Sequence, residues 1–261
     1  KGVLPSEWKQ TNVTPIFKKG KRDNPSNYRP INLASVPAKI METIIKDRIM
    51  EHLMTHELIR KTQHGFMPKR SCTTNLIQYL NTVTLAIEEG HSYDTIMLDY
   101  QKAFDRISFR HMLAKIEKHG IGGQILQWIR NWTEGRKQRV VLNGEHSEWI
   151  DITSSVIQGS VLGPVLFTIF INDLDEVIQD SWNILISKFA DDTKLGKCIQ
   201  NEKDRDDLQC ALNELVKWSN TWDMKLHPDK CMVLHFGHKN PKYVYDIEGT
   251  TIKAVTEARD L

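Results

Sequence analysis

Two adjacent carboxylates, Asp191 and Asp192, lie between two apolar runs in the stretch NILISKFADDTKLGKC, which begins at Asn183. The residues before the pair predict a strand, and the shorter run Thr193 to Cys198, limited by Gly196, predicts a second one. We therefore interpret the stretch as a β-hairpin with both acids at its tip. Because neighbouring anions repel each other, a hard cation such as Mg²⁺, which prefers carboxylate and phosphate oxygens, is the expected partner.

A second adjacent pair, Asp206 and Asp207, serves as a control within the same sequence. The surrounding apolar residues recur at helical spacing, namely Leu208, Leu212, Leu215 and Trp218. This pattern predicts a helix with both acids on the opposite, solvated face. We interpret the second pair as structural.

A third carboxylate, Asp99, ends another apolar run. Thr95 to Leu98 predict a buried strand, and Asp99 follows it directly, so a sheet can carry it to Asp191 and Asp192. We predict that the carboxylates of Asp99 and Asp191 lie within about 4–6 Å of each other, which suits shared ions about 3.5–4 Å apart. Two such ions can lower the pKa of a 3′-hydroxyl and stabilise a triphosphate. Spacing alone leaves a polymerase, a cyclase and a nuclease open.

Positive charge is concentrated at the front of the chain. The first 70 residues hold 14 Lys and Arg against 6 Asp and Glu, whereas the whole chain carries a net charge of only +2. The most basic stretch is a turn-rich loop, which contains Lys18, Lys19, Lys21, Arg22 and Arg29. Such a loop can clamp a triphosphate or a nucleic-acid backbone near the acids. A solvated basic surface is the alternative that composition leaves open.

The elements that must position these residues include both strands and helices. The predicted strands and hairpins are Val13–Phe17, an Asn143-Gly144 hairpin within RVVLNGEHSEWI, the strand KCMVLHFG and a terminal hairpin in VYDIEGTTIKAV. The predicted helices are a segment with Ile40, Ile44, Ile45, Ile49 and Leu53, then Asn75–Glu89, Phe109–Lys118, Ile125–Trp132 and the apolar stretch after Gln158. Asp105 is a weaker metal-ligand candidate, and we expect it to cap a helix that begins near Ser108.

This mixture of helices and hairpins predicts an α+β fold rather than a doubly wound parallel sheet. With 261 residues, 40% of them hydrophobic, the chain can bury a substantial core in one large domain or two intimate subdomains. No apolar run reaches about 18 residues, so we expect no membrane span. Four cysteines without paired spacing favour reduced thiols in an intracellular protein. The polar start without Met and the abrupt end predict an excised fragment.

Six motifs, in this order, resemble the reverse transcriptase domain of non-LTR retrotransposons, of the jockey and chicken-repeat type of long interspersed element. They are NYRPINL, QHGF, LDYQKAFD, QGSVLGPVLF, FADDTKL and DKCMVLHFG, and they span almost the whole chain. A group II intron or telomerase origin fits LDYQKAFD and FADDTKL less well.

The resemblance implies an RNA-directed DNA polymerase with a right-hand polymerase fold. Fingers would occupy about residues 1–92, and the palm, with inserted fingers helices, about residues 93–261, with the thumb largely absent. The implied partners are an RNA template, a DNA primer and dNTP, with no membrane. The implied cofactors are two Mg²⁺ ions, with Mn²⁺ as an alternative ion. The implied location is the nucleus and a cytoplasmic ribonucleoprotein.

The resemblance also assigns roles to residues at the motif positions. The implied catalytic and metal-binding set consists of Asp99, Asp191, Asp192, the backbone carbonyl of Tyr100, and Lys230 as proton donor for pyrophosphate. The implied nucleotide-binding set consists of Lys19, Arg29, Ala103, Phe104, Gln158 and Gly159, with Phe104 as an aromatic steric gate. The implied template-binding set consists of Gln63, Phe66 and Arg70. A core position for Phe104, a surface position for Lys230 and an ion-pair role for Arg29 are the structural alternatives.

The chain departs from the family pattern at three positions. Ile157 stands where the family usually has Pro before Gln158, Ser155 where Gly is usual, and Lys69 where Gly commonly follows QHGF. Because Pro and Gly set backbone geometry, these changes predict a misshaped nucleotide-pocket loop. They leave a second hypothesis open, a catalytically decayed remnant that binds nucleic acid. The intact carboxylates favour the polymerase.

Overall fold

A computed structural model describes residues 2–258 of the chain. Its helices are α1 (Val36–Thr55), α2 (Cys72–Glu88), α3 (Ala103–Arg106), α4 (Phe109–Lys118), α5 (Gly123–Thr133), α6 (Gly163–Phe170) and α7 (Glu202–Thr221). Its strands are β1 (Gln10–Phe17), β2 (Tyr28–Leu33), β3 (Ser92–Leu98), β4 (Lys137–Leu142), β5 (Glu145–His146), β6 (Ile150–Asp151), β7 (Leu185–Phe189), β8 (Asp192–Ile199), β9 (Met232–Phe236), β10 (Asp246–Ile247), β11 (Thr250–Thr251) and β12 (Lys253–Val255). Helices with mostly antiparallel strands confirm the predicted α+β class. Within this described part, no helix combines the length and apolar character needed to cross a membrane.

Local sequence patterns located most of these elements correctly. Helix α4 has the predicted bounds, and α5 extends beyond the predicted helix at both ends. Helix α2 begins before the predicted Asn75 and ends at Glu88, one residue before the predicted end. Asn143 and Gly144 join β4 to β5 with positive φ angles of 52° and 88°, as a tight hairpin turn of this type requires. The terminal hairpin is confirmed as β10 and β11, and β12 adds to β9 in parallel.

Packing divides the chain into two compact units. Among the described residues, the first combines 2–58 with Phe104–Phe170, and the second combines Ile59–Ala103 with 171–258. These bounds differ from the division into fingers and palm near residue 92, which stays a prediction. The segment from Ile59 to the start of β3 therefore belongs to the same unit as the acids.

The first unit contains a sheet with strand order β2-β1-β4-β5, in which β6 also pairs with β4. Strands β1 and β2 are antiparallel, so the basic loop between them closes a hairpin. Helix α1 buries Ile45, Ile49 and Leu53, whereas Ile40 and Ile44 are more than half exposed. Part of the apolar pattern in α1 thus lies outside the core of this unit.

The second unit contains a sheet with strand order β12-β9-β3-β8-β7. Its central strand β3 is antiparallel to both β8 and β9 and is buried along nearly its whole length. Gly196 lies within β8 and does not end it, since the strand continues to Ile199. A Cβ at position 196 would lie 2.5 Å from the hydroxyl of Tyr93 on β3, so the glycine leaves room for this side chain. Helix α2 packs Tyr79 and Val83 against Tyr93.

The control pair on α7 differs from its prediction in one respect. The apolar residues of the helix are buried as predicted, namely Leu208, Leu212, Leu215 and Trp218. Asp206 is exposed, but the prediction of a solvated Asp207 was wrong. Asp207 lies at the border of the apolar face, and Lys203 and Lys197 of β8 neutralise its buried carboxylate.

Candidate active site

The three predicted acids lie at one end of the sheet in the second unit. Strands β3 and β8 are antiparallel with Leu98 opposite Thr193. Asp99 follows β3 directly, Asp191 lies in the turn between β7 and β8, and Asp192 begins β8. Since adjacent strands lie about 4.8 Å apart, this register brings Asp99 beside the turn. The hairpin with both acids at its tip is confirmed, whereas the 4–6 Å separation of the carboxylates stays a prediction.

Asp99 is held by the loop that precedes β9. Its carbonyl accepts a hydrogen bond from the His227 N–H at 2.8 Å, and its N–H donates to Cys231 Sγ at 3.4 Å. Its half-exposed carboxylate lies 3.5 Å from Lys230 Nζ. Burial, aided by the charge of Asp99, raises the pKa of the Cys231 thiol to about 11, so this thiol stays protonated at neutral pH. The predicted proton donor and the predicted metal ligand are therefore neighbours.

Tyr100 continues the contact between β3 and the same loop. It forms an antiparallel bridge with Leu226, and the Gln101 N–H donates to the Lys225 carbonyl at 2.8 Å. The Gln101 side-chain amide donates to the Leu226 carbonyl at 2.9 Å. Burial raises the pKa of the Tyr100 hydroxyl, so the ring is a neutral core group. A metal contact by the Tyr100 carbonyl stays a prediction.

The donor set at this edge suits a hard divalent cation. Among residues 2–258, no three His, Cys, Asp or Glu side chains converge to hold a metal ion by themselves. Mg²⁺, however, keeps several waters and is usually bound by one or two carboxylates together with substrate phosphates. Carboxylates at a strand end supply oxygen donors of that kind without a closed cage. The residues present therefore fit ions that arrive with a nucleotide.

The loop with the predicted template-binding residues packs against the same turn. Gln63 is fully buried, and its side-chain amide hydrogen-bonds to the backbone of Ala190, which precedes Asp191. Arg70 donates to three backbone carbonyls of its own loop. Phe66 is 44% exposed and has a φ of 59°. Template contact by these residues stays a prediction, and Gln63 in this arrangement faces backbone rather than solvent.

In the first unit, Lys19 and Arg29 lie on the hairpin of β1 and β2, and both are exposed. The hairpin end is ordered by hydrogen bonds within the basic loop. The Lys18 N–H donates to the Asn27 carbonyl at 2.8 Å, and the Asn27 amide donates to the Lys21 carbonyl at 2.7 Å. The cationic side chains of the loop are thus exposed, while hydrogen bonds hold its backbone in place. Contact of Lys19 and Arg29 with a triphosphate stays a prediction.

The other predicted nucleotide-binding side chains have partners within their loops. Phe104 is half-buried and stacks on Phe167 of α6, with ring centroids 4.2 Å apart. The Gln158 amide donates to the Asp105 carboxylate at 3.2 Å. The expected cap role of Asp105 was wrong, because Ser108 is the N-cap residue of α4 and Asp105 bonds Gln158 instead. Ala103, at the start of α3, is buried.

Gly159 is required by its surroundings. Its φ is 100°, and a Cβ at this position would lie 2.5 Å from the Asn32 carbonyl oxygen. The Asn32 N–H also donates to the Gln158 carbonyl at 2.9 Å, which ties the loop to β2. A side chain at position 159 would break this backbone contact.

Glu42 of α1 is a site-supporting residue that sequence reasoning missed. It is buried, and its carboxylate accepts hydrogen bonds from the Trp132 indole at 2.9 Å and from the N–H groups of Val161 and Leu162 at 2.7 and 3.3 Å. Glu42 therefore holds the segment that follows Gly159. Its place on the apolar face of a predicted helix, two turns before Ile49, was the signal that could have revealed it.

Two of the three departures from the family pattern have a conformation typical of glycine. Ser155 has a φ of 138° and Lys69 a φ of 61°, and Gly is expected at both positions. The loops thus keep a backbone that their own residues disfavour. Ile157, at the expected proline position, is buried.

Comparisons with known proteins identify the class. The family model described as reverse transcriptase (RNA-dependent DNA polymerase) matches residues 16–252, so the chain belongs to the reverse transcriptase family. It is 30% identical over 244 residues to the RNA-directed DNA polymerase from mobile element jockey of Drosophila melanogaster, covering 91% of this chain and 26% of that protein. It is 27% identical over 275 residues to the probable RNA-directed DNA polymerase from transposon BS of the same species, covering 99% and 29%.

These relatives confirm the resemblance to reverse transcriptases of non-LTR retrotransposons. The chain spans between a quarter and a third of their length. Among solved structures, an apo telomerase from Candida tropicalis matches with a TM-score of 0.66 at 10% identity, covering 91% of this chain and 46% of that one. A form of that telomerase truncated from its C-terminal domain matches with a TM-score of 0.65, covering 96% and 54%. These likenesses confirm the predicted polymerase fold. Members of the reverse transcriptase family generally use divalent metal ions.

Proposed function

We propose that this chain is the catalytic domain of an RNA-directed DNA polymerase, which extends a DNA primer on an RNA template as part of a retrotransposon protein. The observation that carries the proposal is the register of β3 and β8, which sets Asp99 beside Asp191 and Asp192. Nucleotidyl transfer needs positive charge around a reacting triphosphate, and carboxylates at one sheet end attract the hard cations that supply it. The nucleus and a cytoplasmic ribonucleoprotein are the proposed locations.

The proposed reaction joins the primer 3′-oxygen to the α-phosphorus of a dNTP, while the 3′-hydroxyl proton passes to solvent. The bond from the α-phosphorus to the bridging oxygen of the β-phosphate breaks, which releases pyrophosphate. Two bound Mg²⁺ ions, or Mn²⁺ in their place, would supply Lewis acidity to the 3′-hydroxyl and neutralise the triphosphate. Asp99, Asp191, Asp192 and the Tyr100 carbonyl are the residues that would hold them. Lys230, as an ammonium group 3.5 Å from Asp99, gives a proton to the leaving pyrophosphate.

Other residues of the chain bind and select the nucleotide in this proposal. The exposed cations Lys19 and Arg29 attract the triphosphate. The ring of Phe104 excludes a ribose 2′-hydroxyl. Gln158 and Gly159 line the pocket, where the missing side chain at position 159 permits close backbone approach.

The decisive experiment compares Asp191→Asn with Asp206→Asn in primer extension on an RNA template. Asp191→Asn should abolish extension, because it removes a charge that holds metal at the reacting phosphate, and should leave affinity for an RNA–DNA duplex nearly unchanged. Asp206→Asn is a matched control, since Asp206 is an exposed acid on α7 and belongs to the other adjacent pair. Equal activity of the two variants would refute the assignment of Asp191. If the wild-type protein binds duplex but never extends a primer, the polymerase proposal fails and the hypothesis of a decayed, nucleic-acid-binding remnant is supported.

A further inference from the structure

The residue before Asp191 has an unfavourable backbone conformation. Ala190 has a φ of 55°, in the left-handed region that residues with a side chain rarely adopt. Such conformations persist where the surrounding structure holds them, and they cluster at functional sites. Ala190 is also buried, so its N–H and carbonyl require partners inside the protein.

Gln63 provides partners for both of these backbone groups. Its Oε1 accepts a hydrogen bond from the Ala190 N–H at 3.0 Å, and its Nε2 donates to the Ala190 carbonyl at 3.4 Å. The same Oε1 accepts from the Gly65 N–H at 2.8 Å, which fixes the orientation of the amide. Both polar atoms of the fully buried Gln63 side chain thus hydrogen-bond to backbone groups, those of Ala190 and Gly65.

The segment that carries Gln63 is anchored on the outer edge of β7. The Lys188 N–H donates to the Thr62 carbonyl at 2.9 Å, and the His64 N–H donates to the Lys188 carbonyl at 2.8 Å. These bonds form a parallel bridge between Gln63 and Lys188. Gly65 then passes so close to the turn that a Cβ there would lie 2.3 Å from the Ala190 nitrogen. The backbone of residues 62–64, which is hydrogen-bonded to β7, therefore positions the Gln63 amide at the turn.

We propose that Gln63 is a positioning residue that keeps Ala190 left-handed and thereby sets Asp191 at the metal-binding edge. This role replaces direct template contact by Gln63, and it rests on the proposed polymerase function. A metal ligand on an unsupported turn loses the placement on which its activity depends.

The test uses Gln63→Leu, which keeps the size of the side chain and removes its hydrogen bonds. We expect the rate of primer extension at saturating template–primer to fall roughly 10- to 100-fold, the range found when supports of metal ligands are removed. The dissociation constant for template–primer should stay within about two-fold, since the variant loses no phosphate contact. The Mg²⁺ concentration for half-maximal rate should rise, and hydrogen exchange of the Ala190 amide should accelerate.

Gln209→Leu is the matched control within the same unit. The Gln209 amide also holds one residue at both backbone groups, donating to the Asp246 carbonyl at 2.9 Å and accepting from the Asp246 N–H at 3.0 Å, and it donates to Asn213 Oδ1 at 2.9 Å. This variant loses three hydrogen bonds, as Gln63→Leu does, but on α7 rather than at the turn between β7 and β8, and we expect its extension rate to equal that of wild type. A second variant, Gln63→Leu with Ala190→Gly, should recover part of the lost rate, because glycine adopts positive φ without a steric penalty.

The outcomes separate this inference from the polymerase proposal. Weaker template–primer binding by Gln63→Leu with an unchanged saturating rate would overturn positioning in favour of template contact. An equal loss of rate in Gln209→Leu would assign the effect to general destabilisation. If the wild-type protein extends no primer, the polymerase proposal fails, and exchange of the Ala190 amide in Gln63→Leu still decides whether Gln63 holds the turn.

Discussion

Ser155 shows how a single residue can keep a loop conformation that its own side chain disfavours. Its φ of 138° is retained although the family resemblance expects Gly there, and its N–H still donates to the Ile107 carbonyl at 3.1 Å. The loop that leads to Gln158 and Gly159 therefore stores backbone strain. The expected misshaping of this loop stays a prediction, whereas the unfavourable φ at position 155 is observed.

Replacing Ser155 with Gly should raise the free energy of unfolding by about 1 kcal/mol, since glycine removes the steric penalty at positive φ. Chemical denaturation followed by circular dichroism measures the change. Thr153→Gly is the matched control: Thr153 is exposed in the same loop and lies outside the positive-φ set, so its replacement should be neutral or destabilising. A Ser155→Gly protein no more stable than wild type would show that the loop accommodates Ser without strain.

Phe104 offers a test of nucleotide selection at the same scale. Phe104→Val should raise the use of ribonucleotides relative to deoxynucleotides by about 10-fold or more, because the smaller side chain leaves room for a 2′-hydroxyl. Primer extension with each nucleotide type measures the ratio. Phe104→Tyr keeps the ring that stacks on Phe167 and should preserve discrimination. Unchanged selectivity in a folded Phe104→Val protein would mean that Phe104 serves only packing.

At the scale of elements, the QHGF loop joins α2 to the edge of β7. His64 is buried in this junction, with its ring nitrogens 2.8 Å from Thr74 Oγ1 and 2.9 Å from Gln78 Oε1. Burial lowers the pKa of His64 below 6.5, and the nearby charge of Arg70 acts in the same direction, while the hydrogen bond to Gln78 opposes them. The folded protein therefore holds this imidazole neutral.

This lowered pKa predicts a loss of stability in acid. Between the folded pKa and 6.5, the unfolded chain binds more protons at His64 than the folded chain, so the free energy of unfolding falls as pH drops through that window. His64→Gln should lose less stability than wild type between about pH 7 and pH 5 in thermal unfolding. His146→Gln, at an exposed position in β5, should retain the wild-type slope. Identical slopes for wild type and His64→Gln would contradict this origin of acid sensitivity.

At the scale of the whole molecule, the net charge of +2 conceals a basic front and an acidic remainder. The exposed hairpin loop of the first unit holds four neighbouring cations, Lys18, Lys19, Lys21 and Arg22. Nucleic-acid affinity that rests on phosphate contacts weakens with salt in proportion to the number of contacts. If the proposed polymerase function holds, this loop should contribute much of the affinity of the chain for an RNA–DNA duplex.

Neutralising these four cations with Gln should lower duplex affinity and flatten its dependence on salt by about 0.7–0.9 in the logarithmic slope per lost contact. Fluorescence anisotropy at several salt concentrations measures both quantities. The control replaces four exposed lysines of the second unit, namely Lys217, Lys239, Lys242 and Lys253. If both sets of substitutions lower duplex affinity equally, the affinity depends on net charge alone and the basic loop has no specific role.

Sequence patterns predicted the structure best where the residues of one short segment determine its local conformation. Strand β3 with Asp99 at its end, and the hairpin with Asp191 and Asp192 at its tip, follow from apolar runs interrupted by acids. The Asn143-Gly144 turn follows from residues that accept positive φ. The polymerase family followed from the order of six motifs and was confirmed by the family match over residues 16–252.

The amino-acid sequence by itself thus determined the class of protein, and it predicted the acids on which the proposed chemistry depends. Only the tertiary structure revealed that Gln63 is buried against Ala190, that Glu42 holds the segment after Gly159, and that Asp207 is neutralised by Lys197. Periodicity along the chain records which face of an element is apolar. It does not record which backbone group, many residues away, will need a hydrogen-bond partner or a counter-charge once it is buried. Such needs arise only when remote segments pack together, and they decide the roles of these side chains.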